Sequence, residues 1–182
     1  MPSNKIKTWA AALVAPCLTG PVAAEIVSSS QTHYVLRFEA PSPLPPERLW
    51  QRLITPSSWW HPDHTYSGDA GNLTLDARAG GLWQEQWASG AVAHGTVVYI
   101  EHAKTLRLEA PFGPLQALGA HAIWTISLSP HEDGTLVVFD EIATAPQGSN
   151  MVEMAKAVDF VKSEAMRRLI APPPSKDAEL TE

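Results

Sequence analysis

The amino-acid sequence predicts one α+β domain, in which a curved antiparallel sheet packs against a long C-terminal helix and leaves an apolar pocket between them. Two observations support this prediction. Short alternating segments follow one another from residue 73 to residue 143, as is typical of an antiparallel meander. After them, apolar residues recur at helical spacing from Met151 to Leu169, so a single helix offers an apolar stripe that can cover the sheet.

The composition limits the kind of protein. The chain has 182 residues, which is the length of one domain, and 45% of them are apolar, which is enough for a sizeable core. The formal net charge is −6 and no basic stripe occurs, so neither nucleic acid nor an anionic membrane is expected as a partner. Seven tryptophans supply large apolar side chains for a core or a pocket.

The N-terminus has the pattern of a secretory signal peptide over residues 1–24. Two lysines precede a mostly apolar run, Trp9 to Leu18, that is too short to span a bilayer. Small residues then precede a cleavage point after Ala24. We therefore expect export to the periplasm or the medium, with no stable membrane insertion after cleavage; a retained N-terminal anchor is the alternative. Cleavage would remove Cys17, the only cysteine, so no thiol chemistry is expected.

The elements are predicted in the following order. Residues 25–31 form a flexible lead-in, and the domain covers residues 32–170, with a disordered tail at 171–182. A strand at Thr32 to Phe38 precedes two short helices, of which the second ends at Trp59-Trp60. The remaining strands are predicted at residues 73–76, 82–87, 91–101, 105–110, 120–129 and 135–143.

The first long hairpin gives the main candidate site. If Ser89-Gly90 is its turn, Glu85 faces His94, and side-chain alternation places both on an inner face with three aromatic or apolar neighbours, Trp83, Trp87 and Val92, and with Thr96 and Val98. A buried carboxylate needs a partner, which the imidazole can supply. Such a pair can anchor a polar ligand group or act as general acid and base. The alternative is a purely structural pair, or a glutamate at a wet rim.

The second hairpin gives a further candidate. If Leu128 faces Leu136, then Trp124 faces Asp140, and Asp140 becomes a second acidic group on the inner face. The alternative is that Asp140 is exposed, because it lies near the end of a strand and acidic residues are mostly exposed.

The segment His61-Pro62-Asp63-His64 carries three potential metal-ligating side chains. Pro62 makes this segment a turn, and no clear third and fourth ligand accompany the two histidines. The sequence therefore predicts no metal and no cofactor. We expect His64 at the mouth of the pocket, beside Trp59 and Trp60; the alternative is an exposed loop over buried tryptophans.

Several segments, in order and spacing, resemble the SRPBCC superfamily, and most nearly its branch related to the activator of the heat-shock ATPase. These segments are Glu47-Arg48-Leu49-Trp50, Ile54-Thr55-Pro56, Trp59-Trp60-His61-Pro62, Ala79-Gly80-Gly81-Leu82-Trp83 and Gly95-Thr96-Val97-Val98-Tyr99-Ile100. Thr55-Pro56 lacks the aspartate that the branch has between these two residues. The resemblance covers residues 32–169 and implies a helix-grip fold, with a cavity that often holds an apolar or aromatic small molecule.

Three functions remain open at this point. The first is an exported binder of an apolar or aromatic small molecule, with Trp59, Trp60, Trp83, Trp87, Trp124 and Val158 as walls and Glu85, His94, His64 and Asp140 as polar groups. The second is an enzyme like the polyketide cyclases and hydratases, with Glu85 and His94 as acid and base. The third is an interaction protein whose pocket is filled by its own side chains. The co-chaperone role is not expected, because an exported protein would not meet a cytosolic chaperone.

Overall fold

A computed structural model describes residues 23–132 and 134–172 and has the α+β architecture that the sequence predicts. Its strands are β1 Ala23–Ser29, β2 His33–Ser42, β3 Leu73–Leu75, β4 Leu82–Trp87, β5 Gly90–Glu101, β6 Thr105–Glu109, β7 His121–His131 and β8 Gly134–Thr144. Its helices are α1 Pro46–Leu53, α2 Pro114–Ala117 and α3 Met151–Ile170, and three short 3-10 turns lie at Pro56–Ser58, Pro62–His64 and Ala70–Asn72.

The eight strands form one antiparallel sheet in the order β1-β2-β8-β7-β6-β5-β4-β3. The helix α3 packs over β2 and β1, while α1 packs between α3 and the central strands β7 and β8. Buried aromatic side chains fill the space beneath these helices, including Trp50, Trp59, Trp83 and Trp124. Among the described residues, no helix is long and apolar enough to cross a membrane.

The first strand corrects one prediction. The sequence predicted a flexible lead-in at residues 25–31, whereas Ala23–Ser29 form β1 and pair with β2 from Ala23↔Glu39 to Ser29↔Tyr34. A serine-rich segment has weak strand propensity of its own, so the backbone hydrogen bonds to β2 decide its conformation. The sheet therefore begins before residue 32. The rest of the predicted signal peptide, residues 1–22, and residues 173–182 of the predicted tail lie outside the described residues.

Candidate functional site

A cavity of about 490 Å³ lies between the sheet, α3 and the two loops around residues 63–66 and 112–115. Its volume falls within the range of about 300–1,000 Å³ that is usual for small-molecule sites. The wall surface is mostly apolar, although seven of the sixteen lining residues carry a polar or charged side chain. The lining residues are Trp60, Asp63, His64, Thr65, Tyr66, His94, Phe112, Gly113, Pro114, Leu115, Glu141, Met154, Ala157, Val158, Val161 and Lys162.

His94 lines the cavity and lies at a β-bulge in β5. The β4–β5 pairs are Glu85↔Val92 and Trp83↔Gly95, which leaves His94 without a partner on β4. The turn is therefore Ala88-Ser89, one residue before the predicted turn, and Glu85 pairs with Val92, two residues before the predicted partner His94. Gly95 permits the bulge, because a Cβ there would lie 2.6 Å from the Cβ of Ala110.

The bulge also corrects the predicted inner face of β5. One extra residue shifts the side-chain alternation that follows it, so Val97 is buried and Val98 is 46% exposed. Thr96, also predicted to face inward, is half-buried. His94 lies two residues after Val92, which pairs with Glu85, so strand alternation places His94 on the same inner face as Glu85. The two predicted partners therefore meet although their register was wrong.

Glu85 and His94 are both buried, and Nε2 of His94 lies 3.1 Å from Oε2 of Glu85. Burial alone would raise the pKa of Glu85, but hydrogen bonds from Ser67, from the Tyr66 N–H and from His94 outweigh it and hold the pKa below its usual value. The Tyr66 N–H donates to Oε2 over 3.0 Å and the Ser67 N–H to Oε1 over 2.5 Å. Glu85 is therefore an anion at neutral pH.

The imidazole of His94 is held in one protonation state. Burial lowers its pKa, and this effect exceeds the opposing influence of the Glu85 carboxylate. A neutral imidazole next to a carboxylate carries its proton on Nε2 and donates it, which leaves Nδ1 as an acceptor. This Nδ1 atom is buried and has no hydrogen-bond partner in the described part of the chain. The Phe112 ring stacks on His94, with ring centroids 5.3 Å apart.

The predicted tryptophan walls divide into two layers. Trp60 lines the cavity and stacks on Phe112, with ring centroids 5.5 Å apart. Trp59, Trp83 and Trp124 are buried behind it, and their rings pack edge-on or tilted against one another and against Trp60 and Phe112. Val158, the predicted wall residue on α3, lines the cavity.

Trp87 does not line the cavity. It is half-buried at the end of β4 and pairs with Gly90, beside the hairpin turn. A Cβ on Gly90 would come within 2.7 Å of the Trp87 ring, so the indole lies across that glycine. Strand alternation gave Trp87 the correct parity, but its position along the strand places it beyond the cavity.

The second hairpin also has a register one residue away from the prediction. Trp124 pairs with Glu141 and Leu128 with Val137, because the two strands continue to His131 and Gly134 where a longer loop was predicted. A slip of one residue exchanges the two faces of a strand. The inward position predicted for Asp140 is therefore wrong: its exposed carboxylate accepts a hydrogen bond of 2.8 Å from Arg37.

Glu141 takes the inner position and forms a buried cluster with Lys162 and Tyr34. The Tyr34 hydroxyl donates to Oε1 of Glu141 over 2.6 Å, and Nζ of Lys162 lies 2.9 Å from Oε2, at an angle too bent for a hydrogen bond. The ammonium also lies 3.0 Å from the ring centroid of Trp124. Burial lowers the pKa of Lys162 to about 8, against the opposing effect of Glu141.

The apolar stripe predicted for α3 did not include this cluster, because Lys162 is not an apolar residue. Lys162 lies four residues after Val158 and three before Ala165, which is the spacing of that stripe. A lysine at such a position is a signal of a buried cation that needs an acidic partner on the sheet.

His64 lies at the mouth of the cavity, as a lining residue. Its Nε2 atom is 3.0 Å from Oε2 of Glu164 on α3, and Nε2 of His61 is 3.6 Å from Oε1 of the same carboxylate. All three side chains are partly buried. The sequence offered no third ligand to accompany the two histidines, because Glu164 is one hundred residues further along the chain than His64.

The comparison with known families agrees with this architecture. Residues 43–169 match the family described as activator of Hsp90 ATPase homolog 1-like protein, which is part of the SRPBCC superfamily. This chain belongs to that family. The match includes α1, the loop around residues 63–66, β3 to β8 and nearly all of α3. No curated protein matches the sequence.

Solved structures of low sequence identity share the fold. A protein from Rhodobacter sphaeroides is 22% identical, with a TM-score of 0.55 over 81% of this chain and 96% of its own. A conserved protein of unknown function from Enterococcus faecalis is 14% identical, with a TM-score of 0.55 over 85% of this chain and 81% of its own. A protein from Mycobacterium smegmatis is 16% identical, with a TM-score of 0.54 over 88% of this chain and 98% of its own. At these identities the likeness establishes the helix-grip fold alone.

Proposed function

We propose that this member of the family binds an apolar or aromatic small molecule in the cavity between the sheet and α3. The observation that supports this most directly is the cavity of about 490 Å³, with apolar walls and a buried, unpaired acceptor on His94. Trp59, Trp83 and Trp124, which were predicted as walls, pack behind Trp60 and do not fill the cavity. This arrangement disfavours the alternative of an interaction protein with a filled pocket.

The polar groups restrict the ligand further. Nδ1 of the neutral His94 accepts a hydrogen bond, so a ligand that donates one from a hydroxyl or an N–H group satisfies a buried atom that otherwise costs free energy. Lys162 and Glu141 lie at another part of the lining and compensate each other's charge. The ligand class that fits is therefore uncharged and aromatic or apolar, with one hydrogen-bond donor.

We also propose that binding takes place outside the cytoplasm. Support comes from the sequence pattern of residues 1–24, with its apolar run of signal-peptide length and its small residues before the cleavage point. Cleavage after Ala24 would remove the pairs of Ala23 and Ala24 and leave β1 its pairs from Glu25 to Ser29. Fractionation of the source cells tests this proposal, and protein found only in the cytoplasm would contradict it. N-terminal sequencing of exported protein then tests cleavage after Ala24, and a chain beginning at Met1 would indicate a retained anchor.

A fluorescent probe tests the cavity. N-phenylnaphthylamine is neutral and aromatic and carries one N–H donor, and its emission rises in an apolar site. We expect saturable binding to the wild type and at least about a tenfold loss on Val158→Trp, because the larger indole occupies the space that the probe needs. Lys156→Trp is the matched control, because Lys156 is exposed on the same helix. Equal binding to both variants would contradict the proposal.

Native mass spectrometry of protein isolated from its own source then identifies the physiological ligand. A co-purifying small molecule that is absent from the Val158→Trp variant would support the assignment. A co-purifying molecule that remains bound to this variant would place the binding site elsewhere.

A second candidate function is proton transfer. Its support is that Glu85 holds the Nε2–H of His94, so Nδ1 is the free basic nitrogen of a residue that lines the cavity. A substrate with an acidic C–H or O–H group at that position would lose its proton to His94. The same cavity therefore serves a binder or an enzyme of the cyclase or hydratase type.

A further inference from the structure

The geometry points to a divalent transition-metal site at the mouth of the cavity, formed by His61, His64 and Glu164. The three side chains can each offer one ligand atom, and these atoms all lie within 4.8 Å of one another. Two come from the 3-10 turn at Pro62–His64 and the residue before it, and the third comes from α3. Of these three residues only His64 also lines the proposed ligand cavity.

The distances between donor atoms suit one small cation. Ligands about 2.0–2.2 Å from a tetrahedral zinc ion lie about 3.3–3.6 Å apart. Here Nε2 of His64 and Nε2 of His61 lie 3.0 Å and 3.6 Å from the two oxygens of Glu164. The separation of the donors, none beyond 4.8 Å, is thus close to what one ion needs, and rotation of the side chains would bring the three donors around it.

The backbone that carries the ligands is fixed on both sides. The Trp60 indole N–H donates to the His64 carbonyl over 3.0 Å, which ties the turn to the aromatic cavity wall. Arg168, one helical turn after Glu164, donates to the Trp59 carbonyl over 2.8 Å. These two hydrogen bonds hold the loop and the helix together next to the cluster. Ligands on a backbone that is already held in place lose less conformational entropy on metal binding.

The donor set selects the class of metal. Two imidazoles and one carboxylate suit Zn²⁺ or Fe²⁺, whereas Mg²⁺ and Ca²⁺ prefer oxygen ligands. With three protein ligands, at least one coordination position stays open. His64 and its neighbours Asp63 and Thr65 line the cavity, so a water or a ligand atom in that position would lie next to a bound small molecule.

Asp63 supplies an orienting partner for His61. Nδ1 of His61 now accepts the Asp63 N–H over 3.1 Å, and the Asp63 carboxylate lies 3.8 Å from the same nitrogen. Coordination through Nε2 moves the imidazole proton to Nδ1, where it would face that carboxylate after a small rotation of the ring. Carboxylates in this position usually raise metal affinity by about 10–100-fold.

The experiment uses tag-free full-length protein that has been stripped with a chelator, because a histidine tag would bind the same metals. Calorimetric titration with Zn²⁺ is expected to show one site, and Glu164→Gln is expected to weaken it by at least about 100-fold, since loss of a direct ligand exceeds loss of an orienting partner. Cobalt substitution adds a spectroscopic readout: a visible spectrum that differs from that of the hydrated ion and is lost in Glu164→Gln supports the site, and the spectrum of the hydrated ion in both proteins contradicts it.

His102→Gln is the matched control. His102 also lies 2.9 Å from a glutamate, Glu47, but that exposed pair has only one histidine. The proposal is overturned if zinc affinity falls equally in both variants or is unchanged in Glu164→Gln.

Metal-free thermal unfolding at the wild-type temperature shows that Glu164→Gln is folded, and His64→Gln gives a second test if it is not. The metal content of protein isolated anaerobically from its source distinguishes Zn²⁺ from Fe²⁺, and both metals fit the proposal.

Discussion

At Glu85 and His94, burial acts on two neighbouring groups with different results. Both side chains are buried, yet Glu85 keeps its charge because N–H groups of Tyr66 and Ser67 surround it. His94 has a single polar partner, so burial dominates and the ring stays neutral. The pair therefore consists of a fixed anion and a neutral base, and the base belongs to a residue that lines the cavity.

If this base can act on a bound molecule, a simple proton-transfer reaction will reveal it. A nitrobenzisoxazole opens its ring on loss of one proton and fits an apolar cavity, so it reports a buried base without knowledge of the substrate. The rate is expected to rise with pH through a pKa below the ordinary histidine value of about 6.5 and to stay level above it, because only neutral His94 accepts the proton.

His94→Gln is expected to remove the rate enhancement, since the amide can still donate to Glu85 but is not a base. His121→Gln is the control, because His121 is an exposed residue with a glutamate partner, Glu109. A rate that survives in His94→Gln, or a pH profile that rises only above pH 7, would rule out His94 as the base.

At the level of single elements, β8 shows what strand alternation decides. Asp140 and Glu141 are adjacent acidic residues on opposite faces of the strand. Asp140 pairs with Arg37 in solvent, whereas Glu141 is buried with Lys162 and Tyr34. Exposed ion pairs contribute about 0–1 kcal/mol, but removal of one partner from a buried pair costs about 3–5 kcal/mol.

Neutralisation of these two neighbours by the same change therefore has different effects. Asp140→Asn is expected to lower the free energy of unfolding by less than about 1 kcal/mol, and Glu141→Gln by about 3 kcal/mol or more, because Lys162 would then lack a counterion. Urea unfolding at neutral pH measures both values. Similar losses for the two variants would show that Glu141 and Lys162 are not a buried charged pair.

The same strands show which features of the structure could be predicted from the sequence. Alternation and helical spacing predicted the α+β class, the positions of β4 to β8 and the apolar stripe of α3, because these depend on local periodicity. The pairing register was wrong in both hairpins, because the turn lies one residue earlier than predicted in the first and is shorter than predicted in the second. In the sequence, only Gly95 indicated the bulge at His94. Glu141, Lys162 and Glu164 could be recognised as functional candidates only in the structure, because their partners lie on elements that are distant in the sequence.

For the whole molecule, α3 helps to form both candidate sites, but it also buries a charged side chain, which is unfavourable for stability. It contributes Val158 to the cavity wall and Glu164 to the mouth, and it buries the ammonium of Lys162 beneath them. A buried ion pair is seldom more stable than apolar side chains of the same size. The double variant Lys162→Met with Glu141→Gln is therefore expected to be at least as stable as the wild type at neutral pH, with Tyr34 still able to donate to the amide oxygen.

The pH dependence of stability separates this pair from the rest of the molecule. The pKa of Lys162 is about 8 in the fold and about 10.4 in an unfolded chain, so the unfolded state binds more protons between these values and stability rises with pH there. From pH 7 to pH 9.5 the wild type should gain about 2 kcal/mol relative to the double variant. The measurements stop below pH 10. Above this pH the unfolded state loses the Tyr34 proton while the folded state keeps it, because burial raises the pKa of Tyr34, and stability then falls as pH rises. Urea unfolding curves of both proteins across this window give the difference directly, and a difference that does not change with pH would mean that Lys162 keeps its proton throughout.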